Sequence, residues 1–329
     1  MPTLSLTEAR ALAAGAFARC GASLHAADST ARALVAAEAD GLKGHGLSRV
    51  PSYAGQLRTG KVVGEAQVGV ARPRPGLIAI DAGHGFAYPA IDAAVGELPA
   101  MARAQGVAAA GIRRSHHCGA AGLPVEALAR EGCIALLFAN TPAAMAPWGG
   151  SAPVFGTNPL AFACPLPGRD PVVVDLALSK VARANIVAAA KRGEPIPEGW
   201  ALDAGGAPTT DPAEALKGTM VPLGDAKGTA LALMVELLAA GLTGARYAGQ
   251  ASSFLDAAGD PPGTGQLIIA LDAGALHPGA PERFALLAAA IEGQDGARLP
   301  GSRRLALRAR AAAEGLTVPD ALVAEIAAL

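Results

Sequence analysis

The chain has 329 residues, 51% of them hydrophobic and 17% charged, with a formal net charge of −1. That is enough for one large α/β unit or two domains with a substantial core. The near-neutral balance gives no electrostatic case for nucleic acid or an anionic membrane surface. Cys20, Cys118, Cys133 and Cys164 show no CxxC spacing, and the last two lie in apolar runs, so reduced thiols and a cytoplasmic location are expected. Glu8 and Arg10 interrupt any basic-then-apolar leader, and no run approaches the roughly 18 apolar residues of a membrane span.

In chain order, Ala and Leu at helical spacing predict helices over 6–21 and 26–41, with Ser5 or Thr7 and then Asp28 or Ser29 as caps. Three glycines then break the pattern around His45, and a third helix is expected over 50–58. A strand at 77–80, a turn at 81–85, a helix at 89–105 and a strand at 107–112 follow. The run Cys133-Ile-Ala-Leu-Leu-Phe-Ala139 reads as a strand buried on both faces, being apolar throughout and too short for a core helix. Residues 140–159 hold too many Gly and Pro for a regular element and too few charges for a solvated loop, so they are expected to line a ligand site. A strand at 171–177 and a helix to about residue 191 come next. Residues 193–222 read as a long surface excursion, 227–242 as a buried apolar helix, 265–272 as a buried strand, and 281–292 and 302–314 as helices. Strands alternating with helices in the second half argue for an α/β sheet, not necessarily all-parallel.

The usual nucleotide signatures are missing. Neither GxGxxG nor GxxxxGK[ST] occurs, which disfavours a Rossmann or P-loop assignment, and there is no GxSxG elbow or HExxH helix. What the chain offers instead is scattered. His45 sits in a Gly-rich break with Arg49 four residues on; an imidazole exchanges a proton near neutral pH and a guanidinium grips a carboxylate with two donors. His116-His117-Cys118 lacks a partner ligand at chelating spacing, so no metal is expected. Gly119-Ala-Ala-Gly122 ahead of a helix suits either backbone close to a phosphate or ring, or tight strand–helix packing. Thr157 and Asn158 in Gly156–Pro159 suit a polar ligand or an ordinary turn. Lys227 beside Gly228, and Arg298, Arg303 and Arg304 around Pro300-Gly301, are cations that could meet a phosphate or stay solvated.

Taken together, DGLKGHGLSRVPSY, SHHCGAAG, APWGGSAPVFGTNPLAFACP, VVVDLALS, AKGTALALMVELLAAGLTG and RLPGSRR resemble the type-2 malate/L-lactate dehydrogenase family, a non-Rossmann group of nicotinamide-dependent oxidoreductases. GTGQLIIALD and RLPGSRR make the chain most similar to the Δ1-piperideine-2-carboxylate/Δ1-pyrroline-2-carboxylate reductases. The resemblance implies a three-layer mixed-sheet α/β domain with a helical partner domain and an interlocked homodimer. The helical, substrate side is expected at 1–115 joined by 300–329, and the cofactor side at 116–299. It also implies NADPH, or NADH, as cofactor and a cyclic imine carboxylate as substrate, reduced to proline or pipecolate. His45 matches the family's proton donor, Arg49 its carboxylate ligand and Thr157 a substrate contact. His117, Cys118, Gly119, Ala120, Ala121, Asp175, Leu176, Ala177, Lys227, Gly228, Arg298, Pro300, Gly301, Arg303 and Arg304 match cofactor-binding segments.

Two positions depart from the pattern. Gly44 stands where a Ser usually precedes the catalytic His, and Asn185 where related reductases have an Asp completing a relay. A ketimine nitrogen can arrive already protonated, so loss of the relay favours imine over 2-keto acid. The alternatives are a malate- or lactate-like 2-keto acid reductase and a catalytically silent binding protein on the same fold.

Overall fold

The run Cys133–Ala139 is apolar throughout because both of its faces are covered. In the computed structural model, which describes residues 2–329, it is the fourth strand in sequence of a seven-stranded sheet. The strands are β1 (Gly69–Arg74), β2 (Leu77–Asp81), β3 (Val107–Ser115), β4 (Cys133–Ala139), β5 (Leu160–Leu166), β6 (Arg169–Leu176) and β7 (Thr264–Asp272). Their order is β1-β2-β3-β7-β4-β5-β6. Only β2 and β3 run parallel; every other pairing is antiparallel.

Helices α1 (Leu6–Arg19), α2 (Leu24–Ala39) and α3 (Val50–Arg58) precede the sheet, and α4 (Ala87–Gln105) and α5 (Gly122–Arg130) lie on one of its faces. There Ile78, Ala110, Ile112, Leu137 and Ile268 form one core with Leu98, Val125 and Leu128. Alternate residues point the other way. Leu136, Phe138, Leu267 and Ile269 meet the layer that contains α6 (Arg183–Arg192), α7 (Pro212–Lys217) and α8 (Ala226–Glu236). The three-layer mixed-sheet expectation holds. α9 (Ala280–Glu292), α10 (Ser302–Glu314) and α11 (Asp320–Ala328) complete the chain, and residues of α10 and α11 share a core with α1 to α3. The sheet itself takes strands from both sides of residue 115, so backbone ladders cross the expected division. Among the described residues no helix is long and apolar enough to cross a membrane.

Several local expectations are corrected. Ser23, not Asp28 or Ser29, caps α2 by accepting from Ala26 N, and a Ser5–Glu8 capping box starts α1. The edge strand β1 was not foreseen: Pro73 and two arginines mask it, and edge strands tolerate both. Residues 193–222 are not a mere surface excursion. They carry α7 and a small three-stranded sheet, and Ala201, Ala215 and Met220 are buried. α8 was expected to be buried, yet Leu231, Leu233 and Met234, then Leu237 and Leu242 on the π turn and its exit, are exposed.

Candidate active site

The sheet register collects the chemistry at one end. Ser115 faces Thr264, Ala139 faces Gln266, and Leu160 faces both Phe138 and Leu176. The ends of β3, β4 and β6 and the starts of β5 and β7 therefore lie side by side, bringing 115–122, 139–141, 157–160 and 175–179 together. The expected His117 segment, Thr157 and Asp175 share this rim.

His45 reaches it from the helical side. α2 stops at Asp40, Gly41 takes φ +78°, and the chain makes a tight helical turn over Lys43–His45. A second such turn, Leu47–Arg49, leads into α3. Glu38 anchors both: its Oε2 accepts from Leu47 N at 3.0 Å, and a Cβ on Gly46 would come within 2.2 Å of it, so only glycine fits. Arg49 Nε donates to Gly44 O at 2.6 Å, which folds the guanidinium back over the turn.

The His45 ring lies on that of His117, with centroids 5.1 Å apart and planes 19° from parallel. Behind them stand residues that sequence reasoning missed. The Tyr53 hydroxyl lies 2.5 Å from His117 Nδ1 and 3.3 Å from the Tyr88 hydroxyl. His116 is fully enclosed by Tyr53, Phe86 and Phe254, with centroid distances of 5.2, 5.9 and 5.1 Å, and neither of its ring nitrogens has a partner among the described residues. Phe254 also covers His117 at 5.3 Å. Its loop is tied to α3 by Gln56 Nε2, which donates to the carbonyls of Phe254 and Asp256. The Tyr53 signal was present in sequence, four residues after Arg49 on one helix face; Phe254 gave none.

Burial makes this cluster neutral. Desolvation, then the charge of Arg49, lowers His45 to about 4. Burial first, then Lys61 and Arg49, lowers His116 to about 3, and burial holds His117 well below the ordinary range. The Tyr53 phenol is pushed up to about 12 by burial. Cys118 is pushed to about 12 by burial and then by Asp175, so it is an inert thiol. Among the described residues no group of three His, Cys, Asp or Glu could hold a metal.

The other expected residues divide. Asp175 keeps part of its side chain exposed, yet desolvation by its neighbours raises its carboxyl, and its Oδ2 accepts from Gly122 N at 2.7 Å. A Cβ on Gly119 would come within 2.7 Å of the Tyr88 hydroxyl, and one on Gly122 within 2.7 Å of Arg304, so that glycine run packs against its own chain. Gly228 is equally confined, by Leu223 O. Arg304 is not a free cation: it is buried and ion-paired with Glu126 and Asp40. Lys227, Arg298 and Arg303 are exposed and have no ion-pair partner among the described residues, so the chain keeps cations available for a phosphate-bearing cofactor. Thr157 N donates to Thr141 Oγ1 at 2.9 Å. Asn158, at φ +39°, is structural: with Asn140 and Ala248 N it donates to the buried carboxylate of Glu236. Gly44 has open space, since a Cβ there would meet nothing within 4 Å. Asn185 is exposed on α6 near Trp200, and its backbone N–H donates to Ala182 O. A surface cleft lined by Arg130, Arg169 and Glu282 lies at the opposite end of the sheet from these histidines.

A mixed sheet without a Rossmann or P-loop signature thus gathers imidazoles and a guanidinium at one rim. The chain belongs to the malate/L-lactate dehydrogenase family, whose model matches residues 4–327, and it is an oxidoreductase of that family. It is 53% identical over 325 residues to a (2R)-3-sulfolactate dehydrogenase (NADP(+)) of Chromohalobacter salexigens, covering 99% of this chain and 97% of the relative. It is 40% identical over 332 residues to a Δ1-pyrroline-2-carboxylate/Δ1-piperideine-2-carboxylate reductase of Pseudomonas aeruginosa, covering 100% and 99%. The solved Δ1-piperideine-2-carboxylate reductase from Pseudomonas syringae pv. tomato superposes with a TM-score of 0.93 at 36% identity, covering 100% of this chain and 99% of that one.

Proposed function

We propose that the protein is an NADP(H)-dependent oxidoreductase acting at C2 of a small carboxylate, with the 3-sulfolactate/3-sulfopyruvate couple as first substrate. The cyclic imine carboxylates are the second reading. The observation that carries the proposal is His45: a neutral imidazole with an unpartnered Nδ1, stacked on His117, one helical turn from Arg49. A neutral imidazole is poised to take the proton from a 2-hydroxyl as hydride leaves C2, which is what oxidation of a 2-hydroxy acid needs. Arg49 holds the carboxylate and Thr157 contacts the substrate. Lys43, exposed on the same turn as His45, offers a second cation for a second anionic group. When bound, the nicotinamide supplies or accepts the hydride, while Lys227, Arg298 and Arg303 meet its phosphates.

Loss of the Ser and Asp relay positions would favour an imine that brings its own proton. Two considerations weigh against giving the imine first place. The sulfolactate relative is 53% identical, against 40% for the reductase. The open space at Gly44 also leaves room beside His45 for a bulkier, charged substituent. We further propose that 1–115 with 300–329 form the substrate side and 116–299 the cofactor side. The chain pairs as a homodimer through the exposed leucines of α8, in the cytoplasm. Initial rates with NADP+ and (2R)-3-sulfolactate, and with NADPH and pyruvate, oxaloacetate or Δ1-pyrroline-2-carboxylate, test the reading. The highest kcat/KM is expected on sulfolactate; a preference for the imine would hand the site to the second reading.

A further inference from the structure

Away from the neutral histidine cluster, a network of buried ion pairs joins three elements. Asp40, the C-cap of α2, has a fully buried carboxylate that accepts from Arg308 Nε at 2.7 Å and Nη2 at 2.8 Å. Glu126 on α5 is almost as deeply buried. It accepts from Arg308 Nη1 at 2.6 Å and Nη2 at 2.9 Å, from Arg304 Nη2 at 2.8 Å and from Arg130 Nη2 at 2.8 Å. Arg304 Nε also stands 3.3 Å from Asp40 Oδ2. One planar guanidinium, Arg308, thus bridges two carboxylates on two different helices, a geometry an ammonium cannot reproduce.

The positions of those helices give the cluster its meaning. Gly41, directly after Asp40, is turned against α10, where a Cβ would come within 2.6 Å of Leu307 Cδ1, and His45 follows four residues later. Glu126 lies four residues into the helix that opens immediately after the His117–Ala121 segment. The two segments whose imidazoles stack are therefore fastened to the same side chain of α10, through Asp40 five residues before His45 and Glu126 nine residues after His117.

We propose that Arg308, with Asp40 and Glu126, is a positioning residue that sets His45 against His117, contacting neither substrate nor cofactor. This rests on reading His45 as the proton-handling group. A misplacement of about 1 Å at a reacting group can cost about 10²-fold in rate. In Arg308→Met, kcat should fall by about that factor, and the NADPH dissociation constant should stay within about twofold. In an imidazole NMR titration His45 should shift upward from about 4 towards its ordinary value as the stack opens. Arg308→Lys should be intermediate, keeping the charge but reaching one carboxylate. If Arg308→Met does not fold, Asp40→Asn, which keeps the shape and removes one charge, carries the same readouts. A folded variant with lowered thermal stability but wild-type kcat and an unmoved His45 titration would overturn the proposal. So would a loss confined to NADPH affinity, which would make Arg308 a cofactor ligand. His45→Ala separates the two ideas: wild-type turnover there defeats the reading of His45 itself, while the NMR titration in Arg308→Met still reports on positioning.

Discussion

Replacing His116 with Phe tests the claim that this end of the sheet is a dry box of neutral imidazoles. The folded protein holds His116 at about 3, burial being the main cause, whereas an unfolded chain protonates near the ordinary 6.5. Because the folded-state value is depressed, stability from keeping the ring neutral is fully present above 6.5 and is lost as pH falls towards 3. Each pH unit inside that window costs about 1.4 kcal/mol, so moving from pH 7.5 to 4.5 should cost the wild type roughly 2–3 kcal/mol through this residue alone. Phe titrates nowhere and fits a box already lined by Tyr53, Phe86 and Phe254. At pH 7.5 the substitution relieves two unpartnered nitrogens, at about 1–3 kcal/mol each, against an overpacking cost of about 1–3 kcal/mol for the larger ring. The net baseline is then about 2 kcal/mol in favour of Phe, and it drops out of the comparison between the two pH values. Urea unfolding of both proteins at both pH values isolates the pH-dependent part, since His45 and His117 titrate in each and cancel. His116→Phe should gain on the wild type by roughly 2–3 kcal/mol between pH 7.5 and 4.5. A difference that does not change with pH would refute the reasoning, because it would mean that His116 has a partner for its proton.

Other outcomes follow from the same geometry. Arg49→Met should raise KM by about 30- to several-thousand-fold, the cost of losing roughly 2–5 kcal/mol of charge-assisted pairing; an unmoved KM in steady-state rates puts the carboxylate anchor elsewhere. Lys227→Ala and Arg303→Ala should each weaken NADPH in fluorescence titrations without lowering thermal stability, and unchanged dissociation constants for both would remove them from the cofactor site. Glu236→Leu should destabilise by several kcal/mol, at about 1–3 kcal/mol for each orphaned donor on Asn140, Asn158 and Ala248; a denaturant midpoint close to wild type would show that the donors find other partners. His45→Ala should lower kcat by about 10²–10⁴ on a 2-hydroxy acid and by less on a protonated imine; equal losses on both would reject proton transfer at His45.

What the sequence made legible was whatever local pattern governs. The continuous apolar run at Cys133–Ala139 could only be a strand covered on both sides, and the glycines around His45 could only end a helix. The turn chemistry of residues 140–159 was less legible: Asn158 suited a polar ligand or an ordinary turn, and local pattern could not show that its partner is Glu236, 78 residues away. Arg304 failed for the same reason. A guanidinium after Pro-Gly at a helix start looks like a phosphate cation until Asp40 and Glu126 come beside it through tertiary packing. α8 misled in the opposite direction, because apolar composition all round predicts burial without saying whether its own chain supplies the cover.

That distinction bears on how the site chooses its chemistry. The rim around His45 carries one guanidinium and three imidazoles, and burial holds all three of them uncharged at neutral pH. Placing a substrate carboxylate against Arg49 cancels the second cause of His45's depression and adds a negative charge beside it. At an effective dielectric of about 20, one charge about 6 Å away is worth roughly 2–3 kcal/mol, or about two pH units. Substrate itself would then bring His45 from a base in the free protein towards a value at which it both accepts and returns a proton near neutrality. A dianionic substrate would do so more strongly than a monoanionic one. On this account the missing Ser and Asp do not silence the site, because the substrate's own charge tunes the imidazole. The limb assigned to His45 should then lie about one to two pH units higher in the kcat profile, which reports the substrate complex, than in kcat/KM, which reports the free enzyme.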